Sequence, residues 1–399
     1  MFLYNIVIAC YFGLIKLLSV FNHTKAKAFI AGRNHTIDPS KNYDNHIWFH
    51  CASLGEYEQI KPILKSINKA FPKQNILLSF YSPSGFNNFK DSHLIDELIY
   101  LPTDTLSNIK SFIKLCKPKL LIINGNDIWI NLITHFNKPI INLAANYQND
   151  SFIFSSFGAI HLKKMKAFEA IFCINNTTKR LLEEHGFNNL IKSGNTRIDS
   201  CLQLDLEIKN DWIDNYKQED QLIIIGSSYI HEAALINQFD SNSRFKLIIA
   251  PHEVDKESIK NIDSKLDNYN TQTLSEYILA PKSSVDCLII DKIGMLKQLY
   301  KYGDIVIIGG GNNNSIHNTL EPAAADKPIL FGPKYHKFDE AIAMLKTNAA
   351  FTYSNQQEFD QLLTRGLSKS LNYQSSRAYL EANKGTTLQV IEYLEDYLN

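Results

Sequence analysis

Residues 304–340, DIVIIGGGNNNSIHNTLEPAAADKPILFGPKYHKFDE, decide the reading of the fold. The run Ile305, Val306, Ile307, Ile308 is short, apolar and β-branched, which suits a strand buried on both faces. Gly309, Gly310 and Gly311 follow and let the backbone turn sharply and approach a ligand closely. After a polar stretch, Glu321-Pro322-Ala323-Ala324-Ala325 reads as the first turn of a helix, with Asn318 or Thr319 as its cap. A second buried strand, 328–331, runs into Gly332-Pro333. Strand, glycine turn and helix N-terminus together are the usual α/β device for holding an anionic nucleotide.

Working outward, the same alternation of apolar runs and helical patterns covers the rest of the chain. Strands are expected at 46–50, 75–81, 97–101, 120–124, 139–143 and 170–174, and again at 222–226, 246–250, 286–291, 305–309 and 328–332. Such alternation predicts parallel, doubly wound sheets. The charged stretch 205–220 separates the halves. The expected division is therefore 1–37 as an N-terminal anchor with a basic flank, 38–204 as a first Rossmann-like domain, 205–220 as a linker, and 221–399 as a second Rossmann-like domain with C-terminal helices.

The 399 residues carry 41 Lys plus Arg against 41 Asp plus Glu, so no global field recruits nucleic acid. Six widely spaced cysteines show no metal-type spacing and fit buried thiols in a reducing compartment. The segment 2–21 is apolar apart from Asn5, Lys16 and Ser19, and no acid occurs before Asp38. A cleaved leader carries its charge ahead of the apolar run, and here the cations Lys25, Lys27 and Arg33 follow it. Those cations predict that the chain beyond Phe21 is cytoplasmic. The segment is expected to be a membrane anchor, spanning or lying in the interface; a core helix of a soluble domain is the alternative.

Further strings carry chemistry. His50-Cys51-Ala52-Ser53-Leu54-Gly55-Glu56 follows the first expected strand and sets Glu56 at a helix start, where dipole and free amides favour a carboxylate. Ser82-Pro83-Ser84-Gly85, Leu101-Pro102-Thr103-Asp104, Asp127-Ile128-Trp129 and Gly194-Asn195-Thr196-Arg197-Ile198-Asp199 come next. In the second half stand Gly226-Ser227-Ser228, Pro251-His252, Ile293-Gly294-Met295 and Asn318-Thr319-Leu320-Glu321. In this order the strings resemble the Kdo transferases, which move 3-deoxy-D-manno-octulosonic acid (Kdo) from CMP-Kdo to a lipid A precursor. The counterparts there read HxxSxGE, TxTG, LPxD, ELW, GNxKxD, GSTxxGEE, PRHP and HNPLEPAA followed by GPHxxNFxE. The chain departs at Thr319, Lys337, Asp127, Gly125, Arg197 and Asn146, which stand for Pro, Asn, Glu, Glu, Lys and Arg, and at Pro251-His252 the arginine of PRHP is missing.

The resemblance implies a GT-B-type fold, two doubly wound domains facing a central cleft, and an inverting transfer without a cofactor. The sequence holds no Asp-x-Asp pair to bind a metal on a diphosphate, and CMP-Kdo carries a single phosphate, so a metal-free site is expected. It implies Glu56 as general base, Asp127 and Arg197 as catalytic supports, and Ser53, Gly55, Ser84 and Gly85 as positioning residues. It places CMP and the donor sugar at Ser227, Pro251, His252, Ile293, Gly294, Met295, Gly310, Gly311, Asn318, Thr319, Leu320 and Glu321, with Glu321 on the ribose hydroxyls. CMP-Kdo, the lipid A precursor and the inner membrane at its cytoplasmic face are the implied partners. Another GT-B enzyme with a membrane-lipid acceptor, or a non-catalytic sugar-lipid binder, are the other readings. Retention of Glu56, Arg197 and Glu321 together argues against the latter.

Overall fold

The computed structural model describes all residues except Met1, Asn22, 34–37, Pro39, Asn42, 205–210, 241–243, Ser283 and Asn399. The end of the expected basic flank and the first six residues of the expected linker therefore lie outside the described residues. The chain forms two compact units, Met1–Ser200 with Lys384–Asn399, and Cys201–Asn383.

The first unit is built on Ile47–Cys51 (β1), Ile76–Phe80 (β2), Glu97–Tyr100 (β3), Leu120–Asn124 (β4), Ile140–Ala145 (β5), Ala170–Cys173 (β6) and Leu190–Lys192 (β7). All pair in parallel, in the order β3-β2-β1-β4-β5-β6-β7. Every residue of β1, β2, β4, β5 and β6 is buried, because helices cover both faces of the sheet. Order reverses between β1 and β4, so the loops after these two strands part from each other and leave a crevice at the carboxyl edge.

The second unit holds Gln221–Ser228 (β8), Phe245–Pro251 (β9), Thr271–Thr273 (β10), Cys287–Ile289 (β11), Ile305–Ile308 (β12), Ile329–Phe331 (β13) and Ala350–Thr352 (β14). Its order is β10-β11-β9-β8-β12-β13-β14, again all parallel, with the reversal between β8 and β12. Three strands were not expected from sequence: β7 (LIK), β10 (TQT) and β14 (AFT). Each is three residues long at a sheet edge, too short to show a period and not buried on both faces.

Two boundaries differ from the sequence division. The expected linker is helical over Asp211–Lys217, with Ile213 and Tyr216 buried. The Tyr216 hydroxyl donates to the carbonyls of Leu247 and Asp286 (2.7 and 2.8 Å), fixing that helix to the second sheet. The last helix, Thr386–Leu398, returns to the first unit: Val390, Ile391, Leu394 and Leu398 join the core formed by β1, β2 and the helix Leu54–Ala70. Asp199 accepts the Gly385 and Thr387 amides (2.8 and 2.5 Å) and so caps that returning helix.

At the N-terminus lie two helices, α1 (Phe2–Val20) and α2 (Thr24–Arg33). By length and composition α1 could cross a membrane, with a mean hydropathy of 1.8. The helix after β1, Leu54–Ala70, is α3.

Candidate active site

Glu56 stands at the crevice of the first sheet. The chain leaves β1 at Cys51, and Ser53 caps α3 by accepting the Glu56 amide (3.4 Å). The Glu56 side chain folds back, and its Oε2 accepts the Ala52 amide at 2.6 Å. Ser-x-x-Glu is the spacing of a capping box, whose glutamate is ordinarily solvated and ionised. Glu56 is different. Burial first, and the charge of Asp127 next, raise its carboxyl from the ordinary glutamate range to about 7, against the Ala52 amide and the Arg197 charge, which lower it. A carboxyl of that strength is half ionised near neutrality and can take and return a proton.

Its surroundings are shaped for it. Gly125, directly after β4, has φ +91°, and a β-carbon there would stand 3.2 Å from Glu56 Cδ and Oε1. A glycine is therefore required both for the turn and for the space the carboxylate occupies. Asn124 Nδ2 donates to the Glu56 carbonyl (2.9 Å) and to Gln59 Oε1 (2.8 Å), binding the end of β4 to the first turns of α3. Asp127 follows β4 and is raised by burial alone. Arg197 follows β7, its amide donating to Asn195 Oδ1 (3.0 Å). The three expected catalytic residues thus come from the carboxyl ends of three strands of one sheet, and both Asp127 and Arg197 act on the titration of Glu56.

Beneath them is a network not foreseen from sequence. The Trp129 indole N–H donates to His50 Nε2 (3.1 Å), so the other ring nitrogen of His50 carries the proton and donates to Ser79 Oγ (2.9 Å). Ser79 Oγ also accepts the Trp48 indole N–H (2.7 Å). Burial holds His50 down to about 3, so it stays neutral and serves to orient Trp129.

Of the expected positioning residues, Ser53 is the helix cap, and Gly55 is exposed, with room for a β-carbon 3.8 Å from Ser53 Oγ. Ser84 is exposed, within hydrogen-bond distance of Ser82 Oγ (3.1 Å). Gly85 is structural: a β-carbon there would meet the Phe80 ring at 2.6 Å and the Leu54 amide nitrogen at 3.2 Å.

In the second unit the loops after β8 and β12 lie side by side. Glu232, wholly buried, joins them: its carboxylate accepts the Tyr229 amide (2.8 Å) and the Gly310 amide (3.1 Å). The glycines were expected to open toward a ligand, but they open toward other backbone. A β-carbon on Gly309 would meet the Ser227 carbonyl at 2.2 Å, and one on Gly311 would meet Gly332 at 2.7 Å. Gly310 (φ +91°) is buried, its amide taken by Glu232, so Gly310 and Gly311 shape the loop from behind.

Around this scaffold the other expected donor residues gather. Tyr300, fully buried, packs against Gly226. A β-carbon on Gly226 would touch its hydroxyl (2.2 Å) and Leu296, the residue after Met295, while the charge of Glu321 helps burial raise that hydroxyl. Asn318 Oδ1 accepts the Leu320 amide (3.0 Å) and caps the turn carrying Glu321; Thr319 and Leu320 are buried. Gly294 (φ +88°) forms an open turn beside Ile293, which is exposed. Pro251 ends β9 opposite Ser228, Ser227 holds φ +53°, and the His252 amide donates to the Ser228 carbonyl (3.0 Å). The His252 ring stacks on Tyr229 and His317 (centroids 4.9 and 4.3 Å) at the edge of a pocket of about 410 Å³. Among the described residues, no cluster of three or more His, Cys, Asp or Glu could hold a metal.

Comparison with known proteins bears on this geometry. Residues 23–200, the span that carries Glu56, Asp127 and Arg197, match the family model "3-Deoxy-D-manno-octulosonic-acid transferase (kdotransferase)". The 3-deoxy-D-manno-octulosonic acid transferase of Aquifex aeolicus is 28% identical over 336 residues, covering 82% of this chain and 88% of that protein. Residues 23–200 carry the match to the Kdo transferase model. A second protein of that name, from Haemophilus influenzae, is 24% identical and covers 98% of this chain and 96% of its own length. Among solved structures, UDP-GlcNAc 2-epimerase from Neisseria meningitidis superposes with a TM-score of 0.61 at 14% identity, over 88% of this chain and 99% of that one. That likeness concerns the fold, which is α/β of the two-domain GT-B type.

Three roles escaped sequence reading: His50 as orienter of Trp129, Tyr300 as the ring packed against Gly226, and Glu232 as the tie between loops. A signal existed for Glu232, an acid in the first turn after Gly226-Ser227-Ser228.

Proposed function

We propose that the chain transfers Kdo from CMP-Kdo to the lipid A precursor at the cytoplasmic face of the inner membrane, with inversion and without a metal. The observation that carries this reading is the Glu56 carboxyl at the first crevice, bonded to the Ala52 amide and given its space by Gly125, with Asp127 and Arg197 at the ends of two further strands of that sheet. Glu56 takes the proton of a primary hydroxyl of the acceptor disaccharide, and the freed oxygen attacks the anomeric carbon of Kdo. The bond from that carbon to the phosphate oxygen breaks, and CMP leaves with the electron pair. Arg197 supplies a positive charge as negative charge develops on the departing group. Glu321 holds the ribose of CMP.

The decisive experiment incubates purified protein with CMP-Kdo and lipid A precursor and weighs the lipid. A gain of one or more Kdo residues is expected; transfer only from a UDP-sugar would replace this reading with that of another GT-B enzyme. The expected metal independence rests on CMP-Kdo carrying a single phosphate, so excess EDTA should leave the rate unchanged, and a loss restored by added magnesium would overturn it. CMP should raise the unfolding temperature, and Glu321→Ala should remove that rise while sparing the unliganded midpoint. A rise with UDP but not CMP would count against Glu321 as the CMP ribose contact.

A further inference from the structure

Helix α1 is amphipathic in the inverse sense. Its half-buried or buried stripe is Tyr4, Asn5, Ile8, Phe12, Ile15 and Ser19, and this stripe faces the first domain. The Tyr4 hydroxyl donates to Asp104 Oδ2 (2.5 Å), and Asn131 Nδ2 donates to Asn5 Oδ1 (2.8 Å). Asp104 is 1% exposed and also caps the helix Ile130–His135 through the Asn131 and Leu132 amides (2.9 Å each). Further along, Phe12 stacks on Phe29 of α2 (5.9 Å). The outward face is apolar, with Phe2 81%, Leu3 73%, Leu17 54% and Val20 77% exposed, and Lys16 is its one charge.

A helix that crossed a bilayer would have to leave the domain. Asp104 would lose a buried partner, Asn131 its amide contact and Phe29 its stacked ring, while Tyr4 and Asn5 would enter hydrocarbon. Lying along the domain, α1 keeps all of these and turns an apolar face outward, with Lys16 as its one charge. A second apolar point adjoins it. His161 packs against Tyr4 (6.2 Å) and Phe152 (5.3 Å), and the loop beginning at Phe152 carries Phe157 at 86% exposure. Lys163 and Lys164 follow on the same helix as His161, and no acid occurs in residues 1–37. Apolar side chains bordered by cations match the headgroup region of an anionic leaflet.

We propose that α1 is an in-plane anchor, sunk through its outward face into one leaflet of an anionic bilayer together with Phe157, and that it does not cross. This deepens the membrane placement proposed above and holds whatever sugar is transferred. The rings Phe12, Phe29, Tyr81, Trp129 and His50 follow one another at 5.9, 5.4, 4.7 and 6.0 Å, so the anchor is coupled by direct packing to the floor of the Glu56 crevice. The leaflet then borders the edge of the sheet where the base stands.

The test adds the full chain, with a protease-cleavable tag at its N-terminus, to preformed vesicles of phosphatidylcholine and phosphatidylglycerol. External protease should remove the tag completely; a tag protected inside the vesicle overturns the in-plane arrangement. Phe157→Ser should weaken vesicle partition about tenfold with no change in unfolding temperature, and undiminished partition removes Phe157 from the contact. Sedimentation without lipid addresses the other occupant. A discrete dimer that does not bind vesicles would show that a second copy covers this face, and would overturn the proposal.

Discussion

Replacing Glu56 by glutamine should lower turnover about a thousandfold, the scale of a positioned general base, and leave the protein folded. The amide preserves size and can still accept the Ala52 N–H, so the capping geometry of α3 survives. What is lost is the capacity to hold a proton. The sign of the stability effect separates this from damage. Glu56 titrates near 7, above an unfolded glutamate, so the folded state is progressively destabilised as pH rises through that interval. Removing the charge relieves this cost, and at pH 8 the glutamine variant should unfold no earlier than the wild type. The wild-type kcat/KM should fall about tenfold per pH unit below about 7, because only the ionised carboxylate is a base. A variant with undiminished rate, or a flat acidic limb, would remove Glu56 from proton transfer.

Glu232→Ala should destabilise the second domain by about 3 kcal/mol or more, the scale of stranding buried groups that bonded a charge. Glu232 is wholly buried, and its two oxygens serve two loops, through the Tyr229 and Gly310 amides. Truncation leaves both amides without an acceptor and opens a void where β8 and β12 diverge. Since the backbone beside Gly309 and Gly311 is already too close to admit a β-carbon, the loops have little room to close that void by moving together. Thermal unfolding should show the loss, together with weakened protection by CMP. Wild-type stability would mean that the glycine packing alone holds the loops.

The parts legible in sequence are those set by burial on both faces. IWFHC, LLIIN and IVII are read as central strands because nothing but a two-sided apolar environment suits them. The edge strands LIK, TQT and AFT owe their structure to a single neighbour, which no local pattern reports. At the first crevice, Glu56 was legible through its position after a strand and its motif. Its unusual titration was not, because burial by β4 and the charge of Asp127 arise only in the folded chain. The glycine run was legible as a turn, but no sequence states which neighbour a missing side chain makes room for. Likewise 2–21 announced its apolarity without revealing that Tyr4 and Asn5 point inward.

The returning C-terminal helix makes the first domain discontinuous, and this imposes an order on biosynthesis. Ile63 and Ile67 of α3 belong to the same core as Val390, Ile391 and Leu394, yet all of Cys201–Asn383 must be translated before those partners exist. A nascent first domain therefore waits with an apolar groove uncovered, a natural station for a chaperone. A gene fragment ending at Ser200 would keep that groove permanently open and precipitate. Joining residues 384–398 to it by a short linker should restore a soluble, independently folding half, because Asp199 would again cap the helix it was built to receive.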